Sequence, residues 1–478
     1  MLQRRSHIAP SAEQSELAEA LAELRAEFEV PFPPAALEEA ENAFAPEAGL
    51  DLRDVPFVTL DPEGSRDLDQ AFHLERAGGG YIVRYAIADV PGFVTPDGAL
   101  DAAARERGQT LYAADGSIPL HPRALSEGSA SLLPEQERPA LVWTFTLDAA
   151  GAVADWRLER ALIRSRAQLD YVAVQAALDR GEDSPAALLP EIGRLRLEQE
   201  AARGGASLNL PDAEVVRSAD GTYGLERRHP LPVEDWNAQL SLMTGMAAAE
   251  AMLEARVGVL RTMPQPDDEA FETFRRQTVA LGRPWTEGRY GAYLRGLDRA
   301  DPLTLPVLEA ASALFRGAGY VAFDGEVPEE RMQAAIGAPY AHATAPLRRL
   351  VDRWSLSICL AVAEGREVDA WVRESLSELP RLMQESSTRA SQLNAQTIAL
   401  VEAALLAPRV GEVFEAAVVR LGGNGGGDGT ATVQIAEPAV TVRAPVPDGT
   451  KPGSTVRIRL EAADIRTGTV TFVPVSGR

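Results

Sequence analysis

The spacing of apolar residues changes twice along this chain, and the two changes divide it. From about residue 55 to 150, apolar and polar residues alternate in "PFVTL", "DLDQAFHL", "GGYIVRYAIADV" and "ALVWTFTLD". A period of two is the mark of strands with one buried face. "LDAAARERGQTLY" interrupts them with a helical pattern. From about 165 to 405 most segments read helical, including "EDWNAQLSLMTGMAAAEAMLEARV" and "APLRRLVDRWSLSICLAVAEG". Residues 155–163 and 213–226 offer further strands. From 411 onward, alternation returns in "EVFEAAVVRL", "TATVQI", "VTVRAPV", "STVRIRLEA" and "GTVTFVPV". Five short strands in so small a span suit an OB-type barrel, and equally a generic small β-domain. The expected class is α+β.

The first 50 residues read helical. "SAEQSELAEALAELRAEFE" carries a stripe of Leu17, Leu21, Leu24 and Phe28, and Ser11 and Gln14 have capping-box spacing. "AALEEAENAF" reads as a second helix. This region is too short for a large core of its own, so it should pack on the rest of the chain.

The chain has one cysteine, Cys359, which excludes a disulfide framework and a multi-cysteine metal site and fits a cytoplasmic protein. "MLQRRSHIAPSAEQ" has no apolar signal-peptide core, and no apolar run is long enough to span a membrane. The net charge of −23 argues against non-specific nucleic-acid binding through overall charge. Local groups set the local field, however. Lys451 is the only lysine, so the other basic side chains are arginines, whose fork suits phosphate. A compositional bias toward arginine would give the same count. The patch "GGNGGGDG" at 422–429 lacks a following Lys-Ser/Thr, so a loop joining two strands is expected there. No two of the five histidines have metal-ligand spacing.

The stretch "TLDPEGSRDLDQAF" concentrates carboxylates. Asp67 and Asp69 are two apart and would share a face of a strand. The Pro62-Glu63-Gly64 turn can fold Asp61 back beside them. Three close carboxylates repel each other unless a cation neutralises them, and oxygen-only ligands suit Mg2+ or Mn2+. A solvated acidic turn with Asp capping backbone N–H groups fits the same residues. The calcium EF-hand spacing is absent.

Four segments in order resemble the catalytic domain of the ribonuclease II (RNB) family of 3′-to-5′ exoribonucleases. They are "TLDPEGSRDLDQAF" with "YAIADV", "IPLHPRALSEGSASLLPEQERPAL", "RGGASLNLPDAEV" and "YAHATAPLRRLVDRW". The last is similar to the family's Tyr-x-His-x-Thr-Ser-Pro-Ile-Arg-Arg-Tyr-x-Asp motif. The resemblance spans roughly residues 50–475. It implies an RNB-type catalytic domain over 51–408, with a mixed β core wrapped by helices. It also implies a C-terminal five-stranded OB-fold RNA-binding barrel over 409–478. Residues 1–50 form a short helical N-terminal region, helix-turn-helix-like in outline, where the family often has cold-shock-like domains.

The family hydrolyses single-stranded RNA from its 3′ end to nucleoside 5′-monophosphates. By resemblance, Asp61, Asp67 and Asp69 match three of its four active-site aspartates and would hold Mg2+, with Mn2+ as a substitute. Gln70 stands in the place of the fourth and would offer a neutral amide oxygen to the metal. Arg348 matches the arginine on the scissile phosphate, and the adjacent Arg349 is a further RNA contact. Tyr112 and Tyr171 match tyrosines at the RNA 3′ end. Tyr340 and His342 would shape the arginine motif. Leu208 stands where the family often has phenylalanine, and Gln239 and Asn394 where it often has glutamate. These departures remove acidic groups, which keeps open a catalytically weakened RNA-binding protein on a degenerate scaffold. A metal-dependent hydrolase of some other phosphoester is the third reading. A monomer with no membrane attachment is expected.

Overall fold

Five strands pair into a closed circuit at the centre of the molecule. They are β1 (Phe57–Asp61), β2 (Gln70–Ala77), β3 (Gly80–Ala88), β4 (Glu137–Leu147) and β5 (Val153–Asp170). Neighbours β1 to β5 pair antiparallel in sequence order, and the end of β5 then runs parallel to β1. The 18-residue length of β5 makes this closure possible, because one end of the strand serves β4 and the other serves β1. The computed structural model describes the chain except residues 1–3, 8–11, 207, 209–211, 218–222, 229, 299–300, 302, 423–428, 439 and 476–478.

The helices that frame this circuit are α1 (Ala12–Phe28), α2 (Pro34–Glu41), α3 (Ala99–Arg107), α4 (Leu189–Arg203), α5 (Pro232–Ala255), α6 (Asp268–Ala280), α7 (Leu350–Ala363) and α8 (Leu379–Leu406). Alternate side chains of the circuit enter two cores. Val58, Phe72, Tyr85, Ile87 and Trp143 pack with Leu240 and Met243 of α5 and Trp354 of α7. Their neighbours Phe57, Ala71, Ala86, Ala88 and Val142 join Leu100 of α3 and Leu125. Large residues thus face the long helices, and alanines admit the closer approach on the other side. A buried ion pair between Arg353 of α7 and Asp101 of α3, at 2.5 Å, ties those helices together.

The C-terminal segment is a five-stranded antiparallel sheet. Its strands are β6 (Val413–Leu421), β7 (Thr430–Ile435), β8 (Val440–Pro445), β9 (Thr455–Asp464) and β10 (Thr469–Pro474), in the order β8-β7-β6-β9-β10. The outer strands β8 and β10 lie against each other, which nearly closes the barrel. The expected OB-like architecture is therefore present. Most of the glycine-rich patch between β6 and β7 lies outside the described residues.

The N-terminal region differs from expectation in two ways. A short strand, Arg4–His7, pairs antiparallel with Tyr223–Arg228, a long-range backbone pairing that no local periodicity announces. The helices α1 and α2 also do not form a helix-turn-helix unit. Leu17, Leu21 and Leu24 of α1 join one cluster with Leu393 and Leu400 of α8, Leu111 and Ile118, and Phe414, Val418 and Phe472 of the barrel. Ala40 of α2 joins a different cluster, with Leu100 of α3. Ser11 lies outside the described residues. The Gln14 side chain also reaches beyond its own helix. Its amide pairs both ways with the backbone of Tyr223, at 3.0 Å each. Arg466 of the barrel also faces Glu16, Glu19 and Glu23 of α1, within 3.3–3.7 Å. Among the described residues, no helix is long and apolar enough to cross a membrane.

Candidate active site

Strand β1 stops at Asp61 because the Pro62–Gly64 turn follows, with Gly64 at a φ of +82° that only glycine adopts easily. Residues 65–69 then belong to no strand, and β2 begins only at Gln70, although the Asp69 carbonyl already accepts the Ala88 N–H at 2.9 Å. A side chain replaces the missing strand partner here. Ser131 Oγ accepts the Leu68 N–H at 3.0 Å and donates to the Arg66 carbonyl at 2.6 Å. The Leu68 carbonyl accepts the Leu132 N–H at 3.0 Å, and the Leu68 side chain is fully buried. Leu68 therefore anchors the segment between Asp67 and Asp69.

The second half of the site is the segment Tyr340–Arg349. Its final turn is closed by the Arg349 N–H on the Ala345 carbonyl at 2.9 Å. Asp352 accepts the Ala345 N–H at 2.7 Å and holds the Arg349 guanidinium at 2.8 and 2.9 Å. Buried His121 lies beside the Pro346 carbonyl, which pulls against the effect of burial on the imidazole. The Thr110 N–H donates to the Arg348 carbonyl at 3.0 Å. This bond fixes the arginine beside the hairpin that carries Tyr112.

Two hydrogen bonds join the halves. The Leu347 N–H donates to Asp69 Oδ1 at 2.7 Å, and Gln70 Nε2 donates to the Thr344 carbonyl at 2.6 Å. Arg348 Nε lies 3.4 Å from Asp69 Oδ2, and the arginine side chain is 44% exposed while that of Asp69 is 5% exposed. The guanidinium is held from one side and open on the other.

Burial dominates the electrostatics of the two inner carboxyls. It pushes Asp69 up to about 8, against the opposing pull of Arg348 and the Leu347 N–H. It pushes Asp61 up to about 7, again against Arg348 and with Asp67 adding repulsion. Asp61 Oδ2 is buried without a hydrogen-bond partner. Tyr112 is 57% exposed, with its hydroxyl 3.5 Å from Asp67 Oδ2, so its ring is open to a partner. Tyr171 opens a helix next to β5, and its hydroxyl accepts from Asn237 at 3.2 Å. Its phenol is pushed up to about 12 by burial and by Asp61.

The structure therefore brings Asp61, Asp67, Asp69, Tyr112, Tyr171 and Arg348 within electrostatic reach of one another. Two expected contacts look different. Arg349 does not lie open to RNA, because its guanidinium is bonded to Asp352. Gln70 is committed at both ends, since Tyr85 donates its hydroxyl to Gln70 Oε1 at 2.7 Å. His342 is partly buried, 2.8 Å from the Tyr320 hydroxyl, and desolvation holds it well below its usual pKa. Sequence reasoning missed Ser131, Asp352 and His121, which position the site. Ser131 and Asp352 both fall inside segments that carry the family likeness, and His121 lies in "IPLHP".

Among the described residues, no group of three or more His, Cys, Asp or Glu is arranged to hold a metal. The residues present nevertheless fit a hard divalent cation held by fewer protein ligands. Burial raises both Asp61 and Asp69 by more than Arg348 offsets, so added positive charge would favour their ionised forms, and the buried Asp61 Oδ2 has no hydrogen-bond partner.

Residues 50–358 match the RNB domain family, and residues 412–475 match the RNase II-type exonuclease C-terminal S1 domain. The chain is 27% identical over 406 residues to Ribonuclease R of Escherichia coli (strain K12), a match covering 79% of this chain and 49% of that protein. It thus spans about half the length of the curated relatives it matches. Mycoplasma genitalium RNase R in its apo form shares the fold, with a TM-score of 0.84 at 16% identity, over 96% of this chain and 78% of that one. Yeast Ssd1, a pseudonuclease, has a TM-score of 0.67 at 17% identity, over 90% and 55% of the two chains.

Proposed function

This chain belongs to the RNB domain family, and from that premise we propose that it is a hydrolytic 3′-to-5′ exoribonuclease releasing nucleoside 5′-monophosphates from single-stranded RNA. The observation that carries this reading is the half-exposed Arg348 held against buried Asp69. Such an arginine has N–H groups left for a phosphate, and its fixed charge stabilises the extra negative charge that develops during hydrolysis. The open ring of Tyr112 suits base stacking, which tolerates any sequence. Tyr171 would line the same end. Arg349 acts in this reading by positioning, through Asp352, the turn that carries Arg348.

Asp61 and Asp69 would hold Mg2+, with Asp67 at the rim, and Mn2+ would substitute. Bound there, the ion would activate water and neutralise phosphate charge. Gln70 would keep the two halves in register rather than add charge. M. genitalium RNase R has been solved with ribose-methylated single-stranded RNA and with double-stranded RNA. The first of these supports a single strand as a substrate here.

A second reading, RNA binding without turnover, rests on Gln70 in place of a fourth carboxylate; the likeness to a pseudonuclease, at 17% identity, is one of fold and does not favour it. We prefer the enzyme because Asp61, Asp67, Asp69 and Arg348 are all retained at one place. The test is 5′-labelled single-stranded RNA incubated with Mg2+ and resolved over time. Shortening from the 3′ end with mononucleotide release is expected. RNA that is bound but intact at every metal concentration would instead establish the second reading.

A further inference from the structure

Away from the aspartate–arginine site, one cavity combines unpaired positive charge with aromatic surface. It has a volume of about 680 Å3 and lies between the C-terminus of α4 and helix α6. Arg203, Arg275, Arg289, Phe271, Trp285 and Tyr290 are among its walls, none of them part of the aspartate–arginine site. Its size falls within the usual range for small-ligand sites.

Among the described residues, neither Arg203 nor Arg289 has a salt-bridge partner. Arg203 donates Nε to the Ile336 carbonyl at 3.4 Å, while its Nη2 is buried with no hydrogen-bond partner. Glu200 acts on Arg203 electrostatically but gives its side chain to Gln239 at 2.8 Å. Arg289 donates Nη1 to the Ala202 carbonyl at 3.2 Å. Gly204, at a φ of +88°, lets that guanidinium lie close, since a Cβ there would sit 2.9 Å from Nη1. In a chain with 70 acidic and 47 basic residues, two such arginines on one cavity stand out. A helix C-terminus attracts cations, which accounts for the Arg289 bond to the Ala202 carbonyl. It leaves most of the five N–H groups of each guanidinium unused.

The third arginine, Arg275, is paired with Glu272 at 3.2 Å and lies over the Trp285 ring at 4.8 Å. Asp268 is the remaining acid on the wall, so the cavity carries more positive than negative charge. Phe271 packs against Tyr290 and Trp285 with ring centroids 5.5 and 5.9 Å apart, which fixes its ring on the wall.

We propose that this cavity binds a nucleotide, with its phosphate between Arg203 and Arg289 and its base on Phe271. Guanidinium forks match phosphate oxygens, and a fixed aromatic ring offers a stacking surface to any base. A free nucleoside 5′-monophosphate and a unit of an RNA strand present the same chemistry. The proposal does not depend on the exoribonuclease reading.

The test uses the full chain carrying Arg348→Ala, which weakens phosphate binding at the other site, in the presence of a chelator. AMP, inorganic phosphate and a 3′-blocked RNA decamer are titrated by calorimetry. Saturable AMP binding is expected, at least tenfold tighter than phosphate. Adding Arg289→Ala should weaken AMP at least tenfold, and adding Phe271→Ala should weaken AMP several-fold while leaving phosphate unchanged. Arg289 is exposed, so its variant should keep the parent melting temperature; Arg203→Ala provides the second check. AMP binding that the decamer cannot displace identifies a free nucleotide as the ligand, and displacement identifies a strand. No saturable AMP binding, phosphate binding as tightly as AMP, or AMP binding indifferent to Arg289→Ala would each overturn the proposal.

Discussion

Asp69 and Leu347, 278 positions apart in the chain, are joined by one hydrogen bond of 2.7 Å from the Leu347 N–H to Asp69 Oδ1. The carboxylate that faces Arg348 is thus also the acceptor that seats the arginine turn. Its two oxygens do different things, one bonding to backbone and one facing Arg348.

That division makes Asp69→Asn a clean variant. The amide oxygen can still accept the Leu347 N–H, so the turn stays seated while the charge is lost. We expect mononucleotide release to fall by at least about 100-fold, as when a key electrostatic group is removed. RNA affinity in a gel-shift measurement should change little. Full activity in this variant would remove Asp69 from the mechanism.

Arg348 should depend on shape as well as charge. Arg348→Ala is expected to lose about 3 kcal/mol of transition-state stabilisation, read from kcat/KM. Arg348→Lys restores the charge but not the fork, and should recover only a small part. Full recovery by lysine would mean that the point charge is enough.

Gln70→Asp would set a carboxylate against the Thr344 carbonyl that now accepts from Gln70 Nε2 at 2.6 Å. The lost bond and the uncompensated buried charge should cost roughly 1–3 kcal/mol of stability. A divalent cation would relieve the repulsion. The variant should therefore gain more melting temperature from added Mg2+ than the parent does. Equal gains would show that position 70 lies outside the reach of the ion.

Ser131→Ala removes the side chain that serves both Arg66 and Leu68 backbone groups. Two buried polar groups lose their partner, a cost of about 1–3 kcal/mol each. The larger effect should fall on the Mg2+ concentration giving half-maximal activity, because Asp67 and Asp69 flank the loosened residue. A variant that loses stability with unchanged metal dependence would show that the segment keeps its place without the serine.

Buried His121 carries the pH prediction. Burial pushes its imidazole down to about 3 from the ordinary 6.5. Between those values the unfolded chain binds a proton that the folded chain refuses, so stability falls as pH drops from about 6.5 toward 3. One such group contributes at most about 1.4 kcal/mol per pH unit. His121→Gln, which keeps a polar side chain beside the Pro346 carbonyl, should flatten the slope of unfolding free energy against pH over that window. An unchanged slope would assign the acid sensitivity to other groups, such as His342.

Much of this architecture is legible in the order of residues. The strands β3 and β4 and the helices α5 and α7 declare themselves by period, because each buries a face against a neighbouring layer. The aspartates and Arg348 stand out through the order of four motifs. Other features depend on partners distant in sequence. Residues 65–69 look like strand, yet the Leu68 N–H and the Arg66 carbonyl bond to the side chain of Ser131. Gln14 has cap spacing, and its pairing with Tyr223, 209 residues away, is invisible to any local pattern. Arg349 sits in the arginine motif but bonds to Asp352, three residues later and one helical turn inward. Gln70 looks like a substituted metal ligand, and only the positions of Tyr85 and Thr344 show that its amide is engaged at both ends. In each case a short-range pattern admits two outcomes, and tertiary packing chooses between them.

The apolar cluster shared by α1, α8 and the barrel bears on how the molecule can move. A terminal barrel joined by a linker would be expected to swing. Here Leu17 and Leu21 lie in the same cluster as Phe414 and Val418, and Arg466 grips three glutamates of the first long helix. Opening that joint would expose a core rather than bend a tether. Helices α1 and α8 and the barrel therefore form one stiff frame, and under the proposed function a strand of RNA passing the barrel would meet a fixed aperture instead of a flexible arm.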